Sequence, residues 1–455
     1  METRKYGLFT AIAMIVGIVI GSGIFFKSYG VLKATGGSIA QGVIAFLVAA
    51  ISIVFGSLAI SELASRTDNA GGVISYSDKF WGKKLSIAYG WFHTFIYYPS
   101  LVAVVSWVAG IYLDMLFGIE DTLEHQIVWA LAVILVLYGI NFVSAKWGGA
   151  FQNASTIIKL IPLILFGVIG LIFGDISAAW GTHETAANIA GGASWIGALP
   201  AVLFSFDGWI IATTICHEIK DSKKNLYLAL TISPLIIMVL YVVYFVGMCT
   251  YLGPDTILTL GSSHLQVAAQ QLLGTPFAAK LIIVFVIISV MGTSNGLILG
   301  FIRLPYSLSL RKMFPNSEAY TTVNPVHGIP LRSGVTSLYI SLIWLLIHYI
   351  TQKFNVFPNS DVSEIAIIVN YLLFITLYAA VFKLHKQGEV KGFLKGILIP
   401  VLATIGSLIC VWSGFQNKYF LIYLAFSLAM VIVALIFLKT HPAINEINED
   451  DIREE

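Results

Sequence analysis

Two glycines flank a serine at Gly21-Ser22-Gly23, in the middle of the first long apolar segment, residues 8–32. Each interior glycine costs a helix about 1 kcal/mol relative to alanine, so the pair predicts an interruption of the helix. In hydrocarbon the backbone groups freed by a break need partners, and such breaks line cavities. We expect the N–H groups of Gly21 to Gly23, with the Ser22 hydroxyl, to hold the negative end of a small solute. The alternative is that these small residues only let helices pack closely.

A second interruption is predicted at Phe-Ser-Phe-Asp-Gly-Trp, residues 204–209, inside another apolar segment. Asp207 has two interpretations, because its carboxylate can meet a substrate ammonium or can cap the half-helix that follows; we favour the cap. The Ser205 hydroxyl is a candidate contact for the solute. Phe204 and Phe206 are candidate walls of the pocket, although aromatic residues are more often core.

Lys159 is the lysine that we place near the middle of an apolar segment. A buried cation there is costly unless it has partners, so an ionisable residue at this depth is a functional candidate. The expected partners are carbonyls near Val16 and Gly17 and the hydroxyls of Thr293 and Ser294. The alternative is a side chain that extends to the membrane surface.

Two further residues are candidates for coupling or gating. Tyr241 lies at mid-depth of its segment, where its hydroxyl can contact the first break or pack inertly. Glu218 opens a charged turn, residues 218–225, that either forms ion pairs at an inner gate or is simply solvated.

The sequence offers no enzyme or metal pattern. It contains no HExxH, no GxSxG, no Walker loop and no convergent pair of carboxylates, so we expect neither an enzyme nor a cofactor. Cys216, Cys249 and Cys410 lie in or at the ends of apolar segments without metal spacing, and we expect them to pack as apolar residues without disulfides.

The composition places the elements that carry these residues in a bilayer. Of 455 residues, 58% are hydrophobic and only 11% charged, and the mean hydropathy is +0.87. We predict an all-α membrane protein with one polytopic domain over residues 1–440 and a polar, disordered cytoplasmic tail over residues 441–455. Twelve transmembrane helices are expected, at about 7–33, 39–65, 85–117, 125–143, 148–173, 194–218, 226–252, 279–311, 333–352, 361–384, 394–414 and 418–439.

Positive charges fall in alternate loops, and the intervening loops carry acids instead. By the positive-inside rule, this distribution predicts that both termini are cytoplasmic. The basic loops contain Arg4, Lys5, Arg66, Lys79, Lys83, Lys84, Lys146, Lys220, Lys223, Lys224, Arg311, Lys312, Arg332, Lys383, Lys386, Lys391 and Lys395. The acidic loops contain Asp114, Glu120, Asp121, Glu124, Asp175, Glu184 and Asp255.

The two predicted breaks lie in span 1 and span 6, each the first of a block of five spans. Interrupted spans at matching positions are typical of inverted repeats with a binding site at the membrane midplane. We therefore expect one repeat over about residues 7–173 and a second over about 194–384, with spans 11 and 12, residues 394–439, outside them.

Together, the glycine motif of span 1, the break in span 6, the turn after it and Lys159 resemble the amino acid–polyamine–organocation (APC) superfamily. Within it the chain looks most like bacterial relatives of the light subunits of L-type amino acid transporters (the LAT family). The resemblance covers spans 1 to 10 and implies a LeuT-like fold, a 5+5 inverted repeat with discontinuous helices 1 and 6. It also implies that Lys159 takes the place of a sodium ion and makes transport sodium-independent.

The resemblance further implies how substrate binds. The carboxylate would meet the N–H groups of Ser22, Gly23 and Ile24, and the ammonium would meet carbonyls around Val19, Phe204 and Asp207. One departure is that animal light subunits carry a cysteine after span 3 for a disulfide to a heavy subunit, whereas residues 117–125 have none. We therefore expect a protein that works without a heavy partner.

The expected function is antiport of small neutral L-amino acids, such as alanine, serine or cysteine, across the plasma membrane by alternating access. We expect obligatory one-for-one exchange without sodium and no nucleic-acid partner. The site residues are Val19, Gly21, Ser22, Gly23, Ile24, Phe204, Ser205, Phe206 and Asp207 for substrate, and Lys159, Tyr241, Gly17, Ser294 and Glu218 for coupling or gating. Two rivals remain, a proton-coupled symporter with a titrating Lys159 and an amino acid sensor that binds without transport.

Overall fold

A computed structural model describes residues 6–67, 69–120, 122–179, 195–357, 360–415, 419–449 and 452. Within these residues the fold is helical, without a β-strand, and twelve helices are long and apolar enough to cross a membrane, as predicted. Numbered in chain order, spans 1 to 12 are Leu8–Phe25, Ile39–Ala64, Lys83–Phe117, Leu123–Val143, Ala145–Phe173, Trp195–Thr214, Ser222–Leu252, Ala279–Leu310, Leu331–Lys353, Ala366–Lys386, Leu394–Gly414 and Phe420–Thr440.

Spans 1 and 6 are both interrupted, as the sequence predicted. Span 1 contains the half-helix Leu8–Val19, a break at Ile20 and Gly21, and the start of the helix Ser22–Ala34, which continues beyond the span. Span 6 consists of the α-helix Trp195–Phe206 and, after a turn at Asp207 and Gly208, the 3₁₀-helix Trp209–Glu218. Both breaks therefore expose helix ends inside the bundle.

Close packing explains the glycine at each break. A side chain at Gly21 would place its Cβ 1.9 Å from Thr293 Oγ1, so any larger residue would force Thr293 to move. Gly208 has a φ of +95°, a conformation that residues with a side chain rarely adopt, and Ile18 lies against it. The glycines thus serve close packing as well as the exposed backbone expected from the sequence.

Equivalent spans of the two five-span blocks pack on each other, as spans 1 and 6, 2 and 7, and 3 and 8 do. Span 5 packs on span 7, and the corresponding span 10 packs on span 2. These pairings agree with the repeat expected from the sequence.

Several helices depart from simple α-helical geometry or lie outside the spans. Span 3 contains a π-helical turn at His93–Tyr97 and span 11 begins with one at Leu394–Leu398. Span 8 divides into Pro276–Phe301 and Arg303–Leu310. The shorter helices are Val73–Trp81, Ile176–Ala179, Pro254–Leu260, Gly261–Ser263, His264–Leu273, Ser317–Tyr320 and Pro442–Glu446.

The prediction of a disordered tail is wrong for its described residues. Pro442–Glu446 forms a helical turn, and Glu449 is 4% exposed. The Glu449 carboxylate pairs with Arg311, with Nε at 2.8 Å and Nη2 at 2.5 Å, and accepts a hydrogen bond from Ser75 at 2.6 Å. A polar sequence did not prevent order here, because a buried arginine supplies the partner.

Both ends of the described chain lie on one face of the bundle. At the amino end, the Tyr6 N–H donates to the Glu218 carbonyl at 3.0 Å, just after span 6. At the carboxyl end, Glu449 meets Arg311 just after span 8, whose Arg303 pairs with Glu218. This arrangement agrees with an even number of spans.

Candidate functional site

A cavity lies at the junction of the two breaks. It is small, about 20 Å³, and takes its walls from four spans, so neither break forms it alone. Its lining residues are Ile18, Val19 and Gly23 of span 1, Leu101 and Val105 of span 3, Phe204, Asp207 and Gly208 of span 6, and Thr293 and Leu297 of span 8.

Lys159 is fully buried in span 5 behind the first break. Its Nζ donates to the carbonyls of Gly17 and Ile20, each at 2.5 Å, and to that of Ser289 at 3.1 Å, with Thr293 Oγ1 at 3.4 Å. Three carbonyls need three hydrogens, which only the protonated amine carries, so the contacts favour an ammonium. The contacts with the Gly17 carbonyl and the Thr293 hydroxyl are those expected from the sequence, and the alternative of a side chain that extends to the membrane surface is wrong.

The other carbonyls near the end of Leu8–Val19 also have donors. Tyr241 Oη donates to the Val19 carbonyl at 2.8 Å and to the Ser205 carbonyl at 2.7 Å. The Val16 carbonyl accepts the Ile20 N–H at 2.8 Å rather than meeting Lys159. Of the two interpretations of Tyr241, contact with the first break is correct, and the same hydroxyl also reaches span 6.

Asp207 has a partner that neither interpretation anticipated. Its Oδ2 accepts a hydrogen bond from Tyr97 Oη at 2.6 Å, and the Gly208 N–H also donates to the carboxylate. Tyr97 ends the π-helical turn of span 3, and such turns occur often at functional sites. The carboxylate thus lies at the start of Trp209–Glu218, where a negative charge is favourable.

The amino end of Ser22–Ala34 is open to an anion. The N–H groups of Ser22, Gly23 and Ile24 form its first turn and have no acceptor within the helix. Gly21 occupies the cap position and has no side chain that could accept from them. The Ser22 side chain lies outside the described part of the structure.

Gly23 sits directly against span 6. A Cβ added to Gly23 would lie 2.4 Å from Ser205 Cα, so the two breaks are in contact at this point. Gly17 is equally constrained, because an added Cβ would lie 2.1 Å from Thr156 Oγ1. Ile24 is buried in the same turn as Gly23.

Three expectations need correction. Phe206 is not among the residues that line the cavity; its ring packs against Phe46 and Tyr241. The Ser205 hydroxyl donates to the Ala201 carbonyl of its own helix at 3.0 Å. Ser294 does not reach Lys159, because its hydroxyl pairs with that of Ser106 at 2.9 Å. In each case the side chain faces another direction around the helix than the sequence reasoning assumed.

Glu218 forms a buried ion pair rather than a solvated turn. Its Oε1 lies 2.5 Å from Arg303 Nε, and the two side chains are 8% and 1% exposed. The pair joins the end of span 6 to span 8 on the face that carries the termini. The neighbouring His217 side chain lies outside the described part of the structure.

Two residues of this site were missed by the sequence reasoning. Arg303 lies inside span 8, so the cost of a charge at that depth could have identified it. Tyr97 has no comparable signal, because it is one of 20 tyrosines and its π-helical turn has no sequence pattern. Cys249 and Cys410 are free and buried, as expected, whereas the Cys216 side chain is outside the description.

Comparison with known proteins places this site in a family. The model of the amino acid permease family matches residues 6–445, nearly the whole chain. The chain belongs to the amino acid permease family. This permease is therefore a multi-pass membrane transporter of the APC superfamily rather than an enzyme, and its substrates are amino acids.

Individual relatives share most of the permease. It is 31% identical over 409 residues to the serine/threonine exchanger SteT of Bacillus subtilis, which covers 89% of each chain. It is 27% identical over 352 residues to the human cystine/glutamate transporter, covering 75% of this chain and 68% of that one. It is 26% identical over 364 residues to the human Asc-type amino acid transporter 1, covering 76% and 68%.

Proposed function

We propose that this permease exchanges small neutral L-amino acids one for one, without sodium, by alternating access. The observation that carries the proposal is the cavity that joins both breaks, because it brings helix ends of opposite polarity to one small volume. A zwitterionic amino acid matches these helix ends, because its carboxylate suits an amino end and its ammonium suits a carbonyl end.

Some of the helix ends at the breaks are met by side chains of the protein, and the others remain for the substrate. Lys159 already satisfies the carbonyl end of Leu8–Val19, and Asp207 lies at the amino end of Trp209–Glu218. The amino end at Ser22, Gly23 and Ile24 is left for the substrate carboxylate. The ammonium then meets carbonyls around Val19, Phe204 and Asp207, with the Asp207 carboxylate close to it.

A fixed cation supports independence from sodium. The Lys159 amino group lies between span 1 and span 8 with three carbonyl acceptors, and in its protonated form it carries one hydrogen for each of them. A titrating lysine, as a proton-coupled symporter would need, would leave those carbonyls without a full set of donors when neutral.

The cavity and the relatives both support a small side chain. Leu101, Val105 and Leu297 give the cavity an apolar wall, which suits the short side chain of alanine, serine or cysteine. Two of the relatives are named as a serine/threonine exchanger and an Asc-type transporter. Another relative is named as a cystine/glutamate transporter, so the substrates have to be compared in a panel of amino acids.

The setting of the transporter is also part of the proposal. We place it in the plasma membrane with both termini cytoplasmic, because positive residues cluster on the face that carries the termini. The absence of a cysteine in residues 117–125 supports function without a disulfide-linked heavy subunit.

The decisive experiment measures radiolabelled alanine or serine uptake into proteoliposomes with defined contents. Uptake should require internal amino acid, be unchanged when sodium is replaced by choline, and be competed by small neutral amino acids more than by aromatic or basic ones. Uptake by empty vesicles under a pH gradient would establish a proton symporter instead. Ligand binding without flux would establish a sensor.

A further inference from the structure

A second cavity opens on the face that carries the termini and shares no lining residue with the substrate cavity. It has a volume of about 620 Å³, and its walls come from the start of span 1, the start of span 5, the turn after span 6 and the loop before span 9. Its charged or ionisable lining residues are Lys146, Lys220, His327 and Tyr6, and no acidic residue is among the described residues that line it.

The cationic side chains of this cleft are not consumed by internal ion pairs. Lys146 and Lys220 are exposed and form no salt bridge with any described residue. His327 Nδ1 lies 2.8 Å from the Val143 carbonyl, which leaves Nε2 as the ring nitrogen that a ligand can reach. The first-turn N–H groups of Ala145 and Lys146 already have acceptors, so the side chains, and not the helix end, would bind an anion.

The cleft also has a buried polar atom and exposed apolar side chains beside it. Asn153 Oδ1 is buried without a hydrogen-bond partner in the described part of the chain. Phe9 and Trp147, next in sequence to the lining residues Thr10 and Lys146, are 66% and 65% exposed. A large apolar residue and a tryptophan beside a basic cleft are typical of the membrane interface.

We propose that this cleft binds the headgroup of an anionic phospholipid of the phosphatidylglycerol type. The phosphate lies between Lys146 and Lys220, and the acyl chains follow Phe9 and Trp147. A free phosphate would use the lysines alone and would gain nothing from the apolar border.

The cleft lies where three spans meet, so a lipid bound there should affect how these spans are held together. Tyr6 joins three of its walls, because its N–H donates to the Glu218 carbonyl at 3.0 Å, its carbonyl accepts the Lys220 N–H at 2.8 Å, and its hydroxyl donates to the Ala145 carbonyl at 3.2 Å. A headgroup that bridges Lys146 and Lys220 therefore holds spans 1, 5 and 6 together on this face. Bound lipid should stabilise the arrangement described here.

The test measures the Tm of the purified full-length permease in neutral detergent with added phosphatidylglycerol, phosphatidylcholine or inorganic phosphate. We expect phosphatidylglycerol alone to raise the Tm, by roughly 5 °C at about a hundred times its Kd. The double variant Lys146→Gln/Lys220→Gln should lose this rise, and the charge-preserving variant Lys146→Arg/Lys220→Arg should keep most of it.

A matched control is Lys391→Gln, which removes an exposed lysine from the charged loop before span 11, outside the cleft. It should keep the full response. An equal rise with inorganic phosphate would overturn the lipid assignment, and an unchanged rise in the double glutamine variant would overturn the site. Native mass spectrometry of retained lipid provides a second readout that does not depend on the variants' own stability.

Discussion

Each of the two breaks exposes a helix end inside the protein, and the two ends are met by side chains of opposite charge. In span 1 the exposed carbonyl end at Gly17 and Ile20 is met by the buried cation Lys159. In span 6 the exposed amino end at Trp209 is met by the anion Asp207, which Tyr97 holds in place. Each choice follows the polarity of the helix end concerned, since a carbonyl end favours a cation and an amino end an anion.

The comparison also identifies what each break leaves open. At each break a charged side chain of the protein meets one helix end, and the other helix end remains for the solute. Lys159 and Asp207 nevertheless differ in their position relative to the cavity. Lys159 is enclosed by backbone and lies behind the cavity wall, whereas Asp207 lines the cavity itself. The predictions below test this difference, beginning with the largest expected effect.

Replacing Lys159 with alanine should reduce exchange by about 100-fold or more, because at least three carbonyls lose a donor and each costs about 1 kcal/mol. Initial rates in proteoliposomes, normalised to folded protein, measure this. Lys280→Ala, at an exposed position of span 8, is the control and should transport normally. Wild-type exchange rates in the Lys159→Ala variant would show that the charge of Lys159 is not needed at the first break.

Replacing Gly23 with alanine should weaken substrate binding by at least about 10-fold, because the new Cβ meets Ser205 Cα at 2.4 Å and the two breaks must separate. Gly30→Ala, in the same half-helix, has open space around its Cβ and should bind normally. Binding is read from ligand-induced thermal stabilisation. Unchanged affinity in Gly23→Ala would contradict the proposed carboxylate site.

Replacing Tyr97 with phenylalanine should lower exchange by about 10-fold, because a hydrogen bond to a charged group contributes about 1.5 kcal/mol or more. If Asp207 meets the substrate ammonium, the apparent KM should rise more than the maximal rate falls. Tyr112→Phe removes a buried hydroxyl that has no partner among the described residues and serves as the control. A fall in rate alone would assign Asp207 only to holding the helix.

Replacing Tyr241 with phenylalanine should lower exchange by about 3- to 10-fold, since the hydroxyl makes neutral hydrogen bonds to both breaks. Tyr244→Phe, one turn along span 7, removes a buried hydroxyl without a described partner and should be neutral. Equal rates for the two variants would show that the bridge between the breaks contributes nothing.

The smallest effect concerns a charge remote from both breaks. Burial raises the pKa of Asp78, in the helix Val73–Trp81, to about 6 against the pull of Lys83. Because the folded state then holds a proton that the unfolded state has lost, stability should rise as the pH falls from about 6 towards 4. Thermal unfolding against pH should show this slope, and Asp78→Asn should flatten it while the substrate KM stays unchanged. A changed KM would mean that charges outside the breaks also tune the site.

Much of this architecture could be predicted from local sequence. The twelve spans follow from apolar length, and both breaks follow from glycines at depths where they weaken a helix. Lys159 follows from the cost of a charge in hydrocarbon. The same argument applied to Arg303 would have found the partner of Glu218.

Which side of a helix each residue faces could not be predicted. Phe206, Ser205 and Ser294 belong to the expected spans, but their side chains turn away from the cavity or from Lys159. Spans buried on all sides carry apolar residues around their whole circumference, so their periodicity does not mark the face that lines a site. The prediction of a disordered tail was wrong for a related reason. The polar composition of the tail does not reveal that Glu449 pairs with the buried Arg311.

The sequence by itself therefore determined where the helices run, where two of them break and which cation lies among them, because these depend on residues close together in the chain. Tertiary structure decided the pairs that hold the breaks open. Tyr97 and Asp207 are 110 positions apart, and Tyr241 and Val19 are 222 apart. Such contacts depend on the packing and rotation of whole helices, which no local pattern encodes.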